Sequence, residues 1–244
     1  MVATRKSYNW TLLTRDNLYR LLYSIHKQVT NRELPVDQIQ KIMSTHIRRN
    51  IPIRVKNLRD TTTKIGWIYI GGMYYSEIDY KKQARPIEIN FNYNILDEKI
   101  YLTKYRFQRM CQLFADTILH EIVHMRQYRA RKFKAIPGYL STAERAKDRQ
   151  AQEYYGDTDE MGAFSFNIAC EMIDRFGYDP DAIGQYMAST GVRRHKRTSY
   201  YRYLKAFDWN TEHKIIQRLR HKVMCQLDNA CAGKPFKTTD HLTY

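Results

Sequence analysis

The sequence is short of the features that would make it a disulfide scaffold, a zinc ribbon or a membrane protein. Its 244 residues hold four cysteines, Cys111, Cys170, Cys225 and Cys231. No two of them form a C-x-x-C pair, so neither a zinc ribbon nor a disulfide framework is indicated. Cys111 and Cys170 fall on apolar helical stripes and read as small core residues. No apolar run reaches the roughly 18 residues of a spanning helix, so no membrane partner is expected. Residues 1–8 lack the apolar stretch of a signal peptide. The expected location is the cytoplasm of a cell or infected host, with a virion as the alternative.

Acidic residues are also scarce, 25 against 41 Lys and Arg, which gives a formal charge of +16. A field of that sign attracts polyanions. The excess gathers in Arg193-Arg194-His195-Lys196-Arg197, followed by Tyr200, Tyr201, Arg202, Tyr203 and Lys205, then by Lys214, Arg218, Arg220 and Lys222. Arg193, Arg194, Lys196 and Arg197 are candidate phosphate contacts, and interleaved aromatics can stack on unpaired bases. No recognised nucleic-acid motif accompanies them. The alternative is a solvated helical face with the tyrosines turned into the core.

What the chain does have is His120-Glu121-Ile122-Val123-His124, an H-E-x-x-H string in a segment with helical periodicity. Residues four apart stack one turn above each other, so both imidazoles can reach a single metal ion with Glu121 beside them. Zn²⁺ held this way lowers the pKa of bound water toward roughly 7, and the intervening carboxylate can take the proton as that water attacks a carbonyl. Cys111, Phe114, Ala115, Ile118, Leu119, Ile122 and Val123 form one buried stripe by spacing, and the two histidines project from the face next to it. A satisfied core histidine would sit within the stripe.

A catalytic zinc ion takes three protein ligands and keeps a fourth position open. The metzincin pattern, with a Gly three residues and a His six residues after the second His, is excluded by Gln127 and Ala130. The better source is the run from Tyr154 to Phe164. Asp157 is a plausible N-cap with Glu160 three residues on, and Met161, Phe164, Ile168, Met172 and Phe176 continue at helical spacing. Glu160, Ala163 and Asn167 then share one face, and small Ala163 would allow close helix approach. Glu160 is the preferred third ligand; Glu153, Asp157, Asp159 and His195 compete, and a plain capping box at Glu160 is the alternative.

These residues resemble the gluzincin-type zincin metallopeptidases, and more closely the small H-E-x-x-H proteins of tailed phages and bacteria in which a Tyr-rich loop leads into an E-x-x-A helix. The matching positions are His120, Glu121 and His124, then Glu160, 36 positions after the second His, and Ala163, within a span of residues 50–180. The chain departs from the commoner E-I-x-A-Y form, having Glu160-Met161-Gly162-Ala163-Phe164. The resemblance implies Zn²⁺ on His120, His124 and Glu160, with Glu121 as general base.

The expected fold is α+β and zincin-like: a small mixed sheet, an active-site helix and a mostly helical C-terminal part. Residues 1–50 are read as N-terminal helices on the core, 51–180 as the metallopeptidase core and 181–244 as a basic helical extension, all in one domain. Helices are expected over 14–29 and from Pro35 onward, strands over 51–56, 65–70, 73–80 and 87–93, with Gly71-Gly72 as a hairpin turn. A polar loop over 131–157 would connect the two ligand helices. Tyr154 and Tyr155, or Tyr139, are candidate oxyanion donors. A sheet edge beside the metal would suit an extended peptide. The leading function is a zinc-dependent endopeptidase acting on protein or peptide, with substrates near nucleic acid, as for the SprT-like proteases, as one form of it. The alternatives are a virion or nucleic-acid-associated protein retaining a zincin fold, and a zinc hydrolase of cell-wall amides.

Overall fold

A computed structural model describes residues 14–48, 53–75, 87–132, 134, 149–195 and 198–231. By contacts the chain divides into residues 1–125 and 126–244. The first unit holds α1 (Arg15–Tyr23), α2 (His26–Val29), β1 (Glu33–Pro35), α3 (Val36–Arg48), β2 (Ile53–Asp60), β3 (Ile68–Tyr74), β4 (Ile87–Asn94) and β5 (Lys99–Tyr101). It also holds most of α4 (Lys104–Ala130), which runs on into the second unit.

Thr14 caps α1 by accepting from the Asn17 N–H. The single helix expected over 14–29 is broken after Tyr23. Ser24 Oγ donates to the Leu21 carbonyl at 2.7 Å, a local side-chain bond that competes with continuation of the ladder.

The larger sheet is mixed, in the order β2-β4-β3, with β2 parallel and β3 antiparallel to β4. Central β4 is buried along most of its length. Its Phe91 meets Phe114 of α4 edge-on at 5.6 Å, so the sheet packs directly on the H-E-x-x-H helix. The α4 stripe from Cys111 to Val123 is buried as its periodicity requires. The N-terminal part of α1 is tied to the same helix by Arg15, whose Nε pairs with Asp116 Oδ1. β1 and β5 form a separate two-stranded antiparallel ladder.

One expectation is overturned here. Gly71-Gly72 is not a hairpin turn: it lies inside β3, where Gly71 pairs with Asn90 and Gly72 with Ile89. The runs 65–70 and 73–80 are therefore one strand as far as Tyr74, and residues 76–80 lie outside the described residues. Glycine inside a strand marks a close approach. A Cβ at Gly71 would stand 3.3 Å from Asn92 Nδ2, and one at Gly72 would collide with α4 side chains.

The second unit is helical where described: α5 (Arg149–Gly156), α6 (Thr158–Phe176), α7 (Pro180–Ala188), a 3-10 turn (Thr190–Arg194), α8 (Ser199–Ala206) and α9 (Lys214–Cys231). Its core joins Met161, Ile168 and Met172 of α6 to Tyr200, Tyr203 and Leu204 of α8 and to Ile215, Leu219 and Val223 of α9. Helix α5 falls inside the expected loop. Its polar sequence conceals one packed side: Tyr155 packs against the core, and buried Gln152 donates to the Ala206 carbonyl at 2.7 Å. Gly177, at φ 65°, ends α6 in a conformation that favours glycine. No described helix is long and apolar enough to cross a membrane.

Candidate metal centre

Helix α4 presents His120 and His124 one turn apart. Their Nε2 atoms lie 3.1 Å from each other, and the rings meet edge-on with centroids 4.7 Å apart. The residues are only 8% and 9% exposed, and Glu121 between them 6%. Such burial requires polar partners, which a metal ion supplies without leaving either ring charged.

Glu160 comes from the first turn of α6. Asp157 caps that helix, accepting from the Asp159 N–H at 2.8 Å and the Glu160 N–H at 3.2 Å. The Asp157 N–H, which a capping box would aim at Glu160, goes to the Tyr154 carbonyl at 3.2 Å. His120, His124 and Glu160 each offer a ligand atom, and these atoms lie within 4.8 Å of one another. Among the described residues no other group of His, Cys, Asp or Glu comes together in this way.

The donor set fits a metal ion. Two nitrogens bound to one tetrahedral ion at ~2.0–2.1 Å stand about 3.3 Å apart, close to the separation seen between the two Nε2 atoms. Two imidazoles and one carboxylate are a donor set of catalytic zinc sites that leaves one position open.

The competing ligands are engaged elsewhere. Asp157 is the helix cap. The Asp159 carboxylate is held by Arg131. Glu153 is exposed on α5. His195 follows the 3-10 turn, its ring tilted against Tyr186 with centroids 5.7 Å apart, and its pKa is lowered by burial and then by the charges of Arg175 and Arg194.

The two tyrosines proposed as oxyanion donors have their rings in an aromatic cluster. Tyr155 lies 4.6 Å from Tyr203 and 5.5 Å from Phe164, and the half-exposed Tyr154 packs on Tyr155 at 5.2 Å. Tyr139 lies outside the described residues.

Two residues bear on the site that sequence reasoning did not assign to it. Gly72 lies against Glu121, and its signal was a glycine pair inside a β-branched run. Tyr203 is fully buried, and its hydroxyl is held well above the usual phenol range, by burial first and then by the negative charge of Glu160. Nothing in the local sequence links it to Glu160.

The basic run is only partly described. Arg193 and Arg194 are exposed on the 3-10 turn, with the Arg193 guanidinium 4.9 Å from the centre of the Trp209 ring. Lys196 and Arg197 lie outside the described residues. Tyr200 and Tyr203 are core residues, as the solvated-face alternative required. The Tyr200 hydroxyl donates to the Met187 carbonyl at 2.8 Å and accepts from Arg220 Nε at 2.9 Å.

Compared with known proteins, the chain matches no family model, no curated protein and no solved structure.

Proposed function

We propose that this protein is a metal-dependent hydrolase, most specifically a zinc peptidase. The observation that carries the reading is the placement of a buried carboxylate, Glu121, between two histidines whose Nε2 atoms converge, with Glu160 completing a three-donor set. A zinc ion bound there would supply Lewis-acid activation of water and of a carbonyl. His120, His124 and Glu160 would hold it. Glu121 would accept the proton of the attacking water and return it to the leaving amine, the role of a general base and then a general acid.

The substrate class is supported by β3. Among the described residues it is an edge of the three-stranded sheet, and its sequence from Ile68 to Tyr74 carries no charge. Strand edges recruit extended chains by main-chain hydrogen bonding. The same strand lies against Glu121 through Gly72, so a peptide added to it would run beside the proton acceptor.

Metal analysis and a casein cleavage assay test the reading. Stoichiometric metal in the wild type, with cleavage lost and metal kept in Glu121→Gln, is the expected result. A purified protein that holds no metal and cannot be loaded with it overturns the proposal.

A further inference from the structure

Gly72, inside β3, is not among the glycines with positive φ, so its backbone conformation does not call for glycine. Glycine also weakens a strand interior, because it has no side chain to pack and the most backbone freedom to lose. Space explains its presence. A Cβ at position 72 would lie 2.6 Å from Glu121 Oε1, 2.9 Å from Glu121 Cγ and 2.6 Å from Thr117 Cγ2. Thr117 and Glu121 are one turn apart on α4, so the strand meets the helix at position 72 on the turn that carries the proposed proton acceptor.

The two neighbours differ in how readily they yield. Thr117 is β-branched and stiff at χ1. Its Oγ1 donates to the Leu113 carbonyl at 2.8 Å, which fixes the rotamer that turns Cγ2 toward the strand. The Glu121 carboxylate, at the end of three rotatable bonds, is the group that must move. We propose that Gly72 is a positioning residue: the absence of a side chain at position 72 sets where the Glu121 carboxylate sits. Its catalytic consequence rests on the hydrolase reading above, but the packing relationship does not.

The test is Gly72→Ala, measured in two ways. In the metal-free protein, thermal unfolding reads the collision directly. Gly72→Ala should lower the Tm by several degrees in the wild-type background. The drop should shrink in Glu121→Ala, and vanish or reverse in Thr117→Ser/Glu121→Ala, because an alanine that fits is better than glycine in a strand.

In the metal-loaded protein, a displaced general base should lower kcat by about 100-fold, since misplacement by ~1 Å costs that much. KM should change little. Adding Thr117→Ser, which removes the rigid methyl and keeps the hydroxyl, should recover part of the loss. A general loss of structure would lower the folded, metal-loaded fraction, whereas a displaced carboxylate lowers kcat per metal-loaded molecule with KM unchanged.

An equal Tm drop in the wild-type and Glu121→Ala backgrounds overturns the proposal, as does a Gly72→Ala protein with wild-type Tm and kcat. If the wild type shows no hydrolysis, the peptidase reading fails and the Tm coupling alone decides the positioning role.

Discussion

Arg131 and Asp159 form a bidentate ion pair, with Nη1 and Nη2 of the arginine each donating to one carboxylate oxygen at 2.5 Å. The side chains are 8% and 14% exposed, and the guanidinium also lies 4.0 Å from the Tyr128 ring centre. Gln127 adds a bond from Nε2 to the Asp159 carbonyl at 3.2 Å. Together they fasten the first turn of α6, next to Glu160, to the last turns of α4.

Removing one partner of such a pair leaves the other charge buried. Asp159→Ala should therefore cost about 3 kcal/mol of stability in denaturant unfolding. The folded variant should still take up one metal ion at saturation, because the Asp159 carboxylate is committed to Arg131. Wild-type stability combined with loss of stoichiometric metal would make Asp159 a ligand and displace Glu160 from that role.

The ligand assignment predicts an ordered series. His120→Ala and His124→Ala should abolish stoichiometric zinc binding, and Glu160→Ala should weaken it by more than about 100-fold, beyond what loss of a supporting hydrogen bond costs. Glu153→Ala should leave it unchanged, and Asp157→Ala should cost only about 1 kcal/mol of stability through the lost cap. Isothermal titration with zinc separates these outcomes. Equal affinity in Glu160→Ala and wild type would reopen the choice of third ligand, with His195 the next to test.

Much of this arrangement was legible in the sequence because it is local. The 3.6-residue period from Cys111 to Val123 defines the apolar stripe of α4 and so the adjoining face that the two histidines share. Asp157 followed by Glu160 marks the start of α6 to within a residue. What was not legible depends on residues distant in sequence. Gly71-Gly72 carries the local signature of a turn, and only the proximity of Asn92, Thr117 and Glu121 shows why the strand continues through it. Helix α5 is polar enough to read as a loop until Tyr155 and Gln152 are seen against α8. β1 and β5 are three residues each, too short for an alternating pattern to register.

Burial pushes the Cys111 thiol up to about 12, against 9.0 for an ordinary thiol. Below pH 9 the thiol is neutral in both the folded and the unfolded chain, and its contribution to stability is fully present. Between pH 9 and 12 the unfolded chain loses the proton and the folded one keeps it, so this contribution falls by up to about 1.4 kcal/mol per pH unit. Lys222 acts in the opposite sense. Its pKa is lowered to about 8 by burial, so stability rises as the fold releases that proton ahead of the unfolded chain. Comparing wild type with Cys111→Ala cancels the lysine. The difference in unfolding free energy should be flat from pH 6 to pH 8.5 and turn against the wild type above pH 9. A flat difference up to pH 11 would show that the thiol ionises in the fold as readily as in the unfolded chain.

The basic run offers a prediction sharpened by the burial of two of its three tyrosines, Tyr200 and Tyr203. Changing Arg193, Arg194, Lys196 and Arg197 together to Gln should weaken DNA binding and flatten its dependence on log salt, by about 0.7–0.9 in slope for each phosphate no longer neutralised. Arg193 stacks on Trp209, so its replacement also disturbs packing. Arg194→Gln is the cleaner single change and should account for about one phosphate. Tyr200 and Tyr203 are fully buried and offer no face to an unpaired base, so neither can supply the stacking that their place in a basic run suggests. Attraction by charge alone should favour the duplex over a single strand with the same number of phosphates, because the duplex releases more counterions per contact. A strong preference for single strands would point to stacking by another ring, with half-buried Tyr201 the first to test. A salt slope unchanged in the fourfold variant, or a wild type that does not bind, would leave these arginines as a solvated face.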